Sequence, residues 1–151
     1  MLTEAHYRAV LNFFYFLLQD EGMSISASFK TIKQIQKTIS KNEYLLLDVV
    51  VIKTMYEVLN KYLEKHKMSA GAPPRSDWKS PKPEYLIAWK EFMRRSEMPS
   101  SIALVLRYIL DYPPNVIAEA LEVPIGTIYF RLGRGLESFD QNSILKAMVK
   151  K

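Results

Sequence analysis

The chain of 151 residues contains no cysteine and is poor in glycine and histidine, with five and two residues respectively. The absence of cysteine excludes a disulfide framework, thiolate-held zinc or iron–sulfur centres, and a cysteine nucleophile. The two histidines, His6 and His66, lie far apart in the sequence, so no metal site or base–nucleophile pair is evident. No glycine-rich phosphate loop follows a predicted strand. We therefore expect no catalytic site, no bound metal and no cofactor.

Long apolar runs are also missing. The longest run near the start covers residues 13–18, whereas a helix that crosses a bilayer needs about 20 apolar residues. The first ten residues, MLTEAHYRAV, lack the basic, apolar and small-residue regions of a secretory signal. We expect a cytoplasmic protein that does not insert into a membrane.

The composition is that of a soluble globular protein, and its net charge of +5 permits binding to a polyanion without requiring it. Residues 67–83, KMSAGAPPRSDWKSPKP, contain four of the eight prolines. This composition predicts an extended spacer. We therefore expect a helical domain over 1–66, a linker over 67–83 and a second helical domain over 84–151, each close to the lower size limit for independent folding.

Apolar residues recur at helical spacing in both parts, and no segment alternates convincingly with the period of a strand, which predicts an all-α fold. In the first part, the pattern predicts three helices. The second should begin near Ser24 or Ser26, either of which could cap it, and the third should run from about Asn42 to Lys65. Phe29, on the second helix, is interpreted as a core anchor.

Three lysines follow Phe29 on the same predicted helix, at steps of three and four residues that place them in one stripe. These are Lys30, Lys33 and Lys37. A charge stripe of this kind is either a solvated face or a contact surface for a DNA backbone, and the pattern does not separate the two.

The second part ends in two helices, Asn115 to Leu121 and Pro124 to about Phe139, separated by a short break. Such a pair is typical of a helix-turn-helix. The side chains predicted to point inward are Ile117, Ala118, Leu121, Val123, Ile128 and Leu132.

The second helix of this pair would expose five side chains to solvent or to a DNA major groove. For its two arginines, a phosphate contact is the commoner kind of DNA contact, and the alternative is a solvated surface. For its two aromatic residues, packing in the core or at an interface is the alternative. The five residues are Thr127, Tyr129, Phe130, Arg131 and Arg134.

The segments ALVLRYIL (103–110) and VIAEALEVPIGTIYFRL (116–132) together resemble region 4 of bacterial RNA polymerase sigma factors, the domain that reads the −35 promoter element. Phe29 and residues 43–67 are similar to region 2, which in that family binds the polymerase clamp and melts the −10 element. Two small helical domains joined by a linker resemble the extracytoplasmic-function group of the family. The resemblance implies core RNA polymerase and promoter DNA as partners, and an anti-sigma factor as a further one. It places Phe29, Lys30, Lys33 and Lys37 in the polymerase-binding and −10 region.

The sequence departs from this family's pattern in several places. Residues 24–28, SISAS, carry no charge where acidic and glutamine residues usually precede the phenylalanine. Glu122 replaces the usual glycine of the turn. Because a non-glycine residue adopts the left-handed conformation at a cost in free energy, we expect the turn to be either strained or altered. Gly133 and Gly135 should each weaken the last helix by about 1 kcal/mol relative to alanine.

Three functions remain open. The first is a sigma factor that brings core RNA polymerase to promoters. The second is a sigma mimic that captures an anti-sigma factor or another regulator without driving initiation. The third is a helix-turn-helix repressor that acts without polymerase, which would usually bind as a dimer to paired half-sites.

Overall fold

The computed structural model describes residues 2–42, 45–66 and 83–139, and every regular element in these ranges is a helix. The predicted all-α class is therefore confirmed for this part of the chain. The helices are α1 (Glu4–Leu18), α2 (Glu21–Lys41), α3 (Leu47–His66), α4 (Pro83–Arg95), α5 (Met98–Leu104), α6 (Pro114–Leu121) and α7 (Ile125–Phe139), with a π-helical turn at Val105–Ile109. Within the described ranges, no helix is both long and apolar enough to span a bilayer.

The predicted linker lies outside the described residues, except for its last residue. Pro83 begins α4, in agreement with the preference of proline for the first turn of a helix, where its missing N–H has no partner to lose. α3 begins at Leu47, five residues later than predicted. α4 ends at Arg95, and Met98 and Pro99 form the start of α5.

The junction between α1 and α2 is short, with only Gln19 and Asp20 between the two helices. Gln19 ends α1 in the left-handed conformation, with φ 54° and ψ 32°. The carboxylate of Asp20 then accepts a hydrogen bond from the backbone N–H of Met23 at 2.9 Å and caps α2. The predicted start at Ser24 or Ser26 is wrong, because Asp20 provides the cap before either serine is reached.

The buried face of α2 explains a second difference from prediction. Ala27, Thr31 and Ile35 are fully buried at steps of four residues. Phe29 lies two residues from Ala27, which places it on the opposite side of a helix with 3.6 residues per turn, and its side chain is 75% exposed. The interpretation of Phe29 as a core anchor is therefore wrong.

The two parts of the chain are in contact, and one hydrophobic cluster contains buried residues from both. α3 packs against α6, and α1 contacts the π-helical turn. The indole N–H of Trp89 on α4 donates a hydrogen bond to the backbone carbonyl of Phe16 on α1 at 2.8 Å, and the two rings meet edge to face with centroids 5.3 Å apart. These contacts fix the position of the second part, which carries α6 and α7, against the first.

Candidate nucleic-acid interface

Three residues, 122–124, connect α6 to α7. Glu122 adopts the left-handed conformation, with φ 58° and ψ 44°. Its backbone N–H and that of Val123 reach back to carbonyls of the last turn of α6, at 3.3 Å from Glu119 and 3.1 Å from Ala118. The Glu122 carboxylate also lies 3.2 Å from the amino group of Lys53 on α3. The turn is thus tied both to α6 and to the first part of the chain.

The inward face of α6 and α7 agrees with the sequence pattern. Ile117 and Ile128 are fully buried, and Ala118 and Leu132 are nearly so. Leu121 and Val123 are half-buried against the same cluster. This apolar face packs α7 against both α5 and α6, so the side of α7 that remains open is set by burial.

The five residues predicted on the outer side of α7 all reach the surface. Tyr129 is 57% exposed and Phe130 is 53% exposed, so neither aromatic ring belongs to the core. Arg134 is exposed, and Thr127 and Arg131 are half-buried.

Four of these five residues lie together. Thr127, Phe130, Arg131 and Arg134 line one wall of an open groove of about 470 Å³. Residues Glu97, Pro99 and Ser100, at the start of α5, and Gly126 complete the lining. Tyr129 does not line this groove, because it lies two residues from both Thr127 and Arg131, a rotation of about 200° around the helix.

Arg134 is held within the groove by two neighbours. Its guanidinium nitrogen Nη2 lies 3.5 Å from the carboxylate of Glu97, and its guanidinium carbon lies 5.7 Å from the centre of the Phe130 ring. Arg131 makes no ion pair with any carboxylate in the described part of the chain. Among the described residues, therefore, one arginine of the groove has an ion-pair partner and the other has none.

Gly135 has a role that the sequence pattern did not suggest. A Cβ atom added at this position would lie 2.5 Å from Cδ1 of Leu104 on α5, whereas one added at Gly133 meets nothing within 4 Å. Gly135 thus allows the close approach of α7 to α5, and the prediction that it merely weakens the helix is incomplete. A contact between residues 31 positions apart, Leu104 and Gly135, has no signature in local sequence.

A second basic surface lies on α2. Lys30, Lys33 and Lys37 line an open groove of about 670 Å³ together with Gln34, Thr38 and Lys41. A smaller hollow of about 260 Å³ continues this surface onto α3, where Lys61, Tyr62 and Lys65 join Lys30. No carboxylate of the described ranges forms an ion pair with any of these lysines.

The aromatic contact on this surface comes from α3. The amino group of Lys30 lies 5.1 Å from the centre of the Tyr62 ring, and the Tyr62 hydroxyl is hydrogen bonded to that of Ser26 at 2.8 Å. Phe29 lines neither groove. Lys61 and Lys65 were missed by sequence reasoning, because periodicity orders residues within one helix and does not identify which helix lies beside it.

His6 has a local structural contact. Its Nδ1 atom lies 2.9 Å from the backbone nitrogen of Thr3, in a reciprocal cap at the start of α1. His66 is the last residue of α3, and its side chain lies outside the described residues.

Comparison of the chain with protein families, curated proteins and solved structures found no match.

Proposed function

We propose that this protein binds promoter DNA through α7 and acts as a sigma factor-like initiation protein with core RNA polymerase. In this proposal, α6 and α7 form a helix-turn-helix that engages the −35 element, and the surface of α2 and α3 engages the polymerase and the −10 region. The proposal extends the resemblance of residues 103–132 to sigma region 4.

The observation that carries the proposal is the grouping of Thr127, Phe130, Arg131 and Arg134 in one open groove on α7. Ile128 and Leu132 bury another side of the helix against α5 and α6, so this packing sets the orientation of the groove. Arginine guanidinium groups donate several hydrogen bonds to phosphates or to guanine edges. An exposed aromatic ring beside them adds apolar contact to sugars or thymine methyl groups.

The lysines of α2 support a second contact with nucleic acid. Consecutive members of the row Lys30, Lys33, Lys37 and Lys41 are separated by about one helical turn, which is about 5 Å. Lysine acts as a compact point charge toward phosphate. Since no ion pair with the described carboxylates neutralises these amino groups, they are available for a phosphate backbone.

Transcription in vitro tests the proposal directly. The purified full-length chain is mixed with core RNA polymerase from its source organism and a library of genomic promoter fragments, and the transcripts are sequenced. We expect transcripts that depend on the chain and share a sequence element upstream of their starts. A matched reaction with an Arg131→Ala/Arg134→Ala variant should lose them. Absence of chain-dependent transcripts over the whole library would contradict the proposal.

One observation favours a second candidate, a sigma mimic that binds a regulator without driving initiation. The region 2 contact with the clamp in sigma factors uses acidic residues, whereas α2 contains one acidic residue, Glu21, and four lysines. A clamp that attracts acidic groups would repel this helix. A pull-down from the source cell separates the candidates. Large polymerase subunits in the bound fraction would support the sigma factor, and a small regulator that binds the chain without polymerase would support the mimic.

A further inference from the structure

We infer that Glu97 is a positioning residue that holds Arg134 in the DNA-free protein and thereby lowers its affinity for phosphate. This inference rests on the proposed function, because it concerns the same groove on α7. It assigns a role to a residue outside the helix-turn-helix segment, 37 positions from the arginine it contacts.

The backbone of Glu97 is fixed at the start of α5. Its carbonyl accepts hydrogen bonds from the backbone N–H of Ser101 at 3.1 Å and from the Ser101 hydroxyl at 3.3 Å. Glu97 is the N-cap residue of α5, a position at which Ser, Thr, Asp or Asn side chains often accept a hydrogen bond from the first turn of the helix. The Glu97 carboxylate makes no such bond and instead lies 3.5 Å from Nη2 of Arg134.

Arg134 is therefore constrained on two sides. The Glu97 carboxylate lies near one of its nitrogens, and the Phe130 ring lies 5.7 Å from its guanidinium carbon. To bind a DNA phosphate, the guanidinium must exchange the carboxylate for the phosphate. Glu97 then remains close to the bound phosphate, and two negative charges in one groove repel each other. Both effects oppose DNA binding.

The neighbouring arginine gives the contrast within the same groove. Arg131 lines the groove but makes no ion pair with any described carboxylate. Removal of the Glu97 charge should therefore act mainly through Arg134. The expected effect is modest, because both side chains of the pair are more than half exposed and exposed pairs are weak.

The test measures the affinity of the full-length protein for a fluorescein-labelled duplex of about 30 base pairs of mixed sequence, in low salt of about 0.05 M and again at about 0.3 M. Glu97→Gln removes the charge with little change of shape. Glu91→Gln is the matched control, because Glu91 is exposed on α4 and does not line the groove. Each substitution is also made in an Arg134→Ala background, and urea unfolding checks that all variants remain folded.

We expect Glu97→Gln to tighten binding roughly two- to five-fold at low salt and Glu91→Gln to change it by less than about two-fold. The gain should shrink at the higher salt, since mobile ions screen the carboxylate. In the Arg134→Ala background, Glu97→Gln should keep only the smaller gain that comes from relieving the repulsion between the Glu97 carboxylate and the DNA phosphates. A structural role for Glu97 would not depend on Arg134 or on salt in this way.

Two results would overturn the inference. If Glu97→Gln and Glu91→Gln have equal effects while Arg134→Ala weakens binding, α7 binds DNA as proposed but Glu97 does not hold the arginine. If the wild-type chain does not bind the duplex, and neither arginine substitution changes the signal, the proposed function fails together with the inference.

Discussion

At the scale of single residues, the two glycines of α7 show how position decides the effect of one methyl group. Gly135→Ala places a Cβ against the buried side chain of Leu104, and overpacking of this kind costs about 1–3 kcal/mol. The gain in helix propensity, about 1 kcal/mol, offsets part of the cost. The two effects together leave an expected net loss in the free energy of unfolding of up to about 2 kcal/mol, measured by urea denaturation.

Gly133→Ala is the matched control for this substitution. No neighbouring atom lies within 4 Å of the added Cβ. Only the higher helix propensity of alanine therefore acts, and it should stabilise the protein by up to about 1 kcal/mol. Equal changes at the two positions would contradict the close packing of α7 on α5.

Removal of either arginine of the α7 groove should weaken DNA binding more than removal of an exposed arginine elsewhere on the protein. Arg131→Ala and Arg134→Ala should each weaken binding, by about 1–3 kcal/mol where the contact is to a base. A phosphate contact would weaken binding uniformly across sequences and lower the salt slope by about 1. Fluorescence anisotropy with several duplexes at several salt concentrations measures both quantities.

Arg8→Ala is the control for these variants, because Arg8 is exposed on α1 and paired with Glu4 at 2.8 Å. It removes the same charge far from α7 in the sequence. Unchanged binding by the Arg131→Ala/Arg134→Ala double variant would show that α7 does not face DNA through this groove.

Tyr112 couples stability to pH. Burial, and to a lesser extent the Asp48 carboxylate, raise the pKa of Tyr112 to about 12 from the ordinary value of 10.0. The unfolded chain thus loses this proton at lower pH than the folded chain does. The contribution of Tyr112 to stability is fully present below about pH 10 and is lost as the pH rises toward 12.

Urea unfolding of the wild type and of Tyr112→Phe, from neutral pH to about pH 12, checks this prediction. The stability difference between the two proteins should shift in favour of Tyr112→Phe above about pH 10, since phenylalanine has no proton to lose. Tyr129→Phe, which removes one phenol from the surface, is the comparison variant. A constant difference between wild type and Tyr112→Phe over this range would refute the pKa shift.

At the scale of elements, periodicity predicted that α2 is a helix, but a single capping residue decided where it begins. Asp20 starts the helix earlier than Ser24 or Ser26 would. The buried stripe of α2 contains small and polar residues, among them Ser24, Ala27 and Thr31, and a search for large apolar side chains overlooks such a stripe. For this reason Phe29, the largest apolar residue of the helix, was assigned to the wrong face.

Lys30, Lys33 and Lys37 of α2 should contribute together to nucleic-acid binding. We expect the Lys30→Gln/Lys33→Gln/Lys37→Gln variant to bind duplex DNA more weakly, with a salt slope lower by about 0.9 for each lysine that contacts a phosphate. The loss should be the same for all sequences, because a phosphate contact does not read bases.

Lys90→Gln controls for the loss of positive charge, since Lys90 lies on α4 and lines neither lysine groove. If the triple variant keeps the wild-type slope, the α2 lysines form a solvated face. That result would leave the arginine groove of α7 as the remaining candidate surface for DNA.

At the scale of the whole molecule, the contacts between the two parts predict cooperative unfolding. Trp89 is buried against Phe16, and α3 packs against α6. A Trp78→Phe variant leaves Trp89 as the sole indole, because the chain has two tryptophans. Urea unfolding of this variant, followed by Trp89 fluorescence and by far-ultraviolet circular dichroism, should give coincident transitions.

Two separated transitions would show that the parts unfold independently and that their interface is weak. Trp89→Phe provides a second measurement. Because this variant lacks the Trp89 fluorophore, its unfolding is followed by circular dichroism alone. Loss of the indole hydrogen bond to Phe16 should lower the free energy of unfolding by about 1 kcal/mol and should split the transition in two if the coupling depends on this contact.

By itself, the sequence determined that the described residues form helices, which side of α6 and α7 is buried, and that Thr127, Tyr129, Phe130, Arg131 and Arg134 reach the surface. These are local properties, because the helical period and the burial of apolar side chains act within one element. Tertiary structure decided which surfaces meet.

The pairing of Glu97 with Arg134, the approach of Gly135 to Leu104, and the joining of Lys61 and Lys65 to the α2 lysines depend on how separate helices pack. That packing follows from the shape complementarity of whole helix faces. The spacing of residues along the chain therefore does not predict this packing.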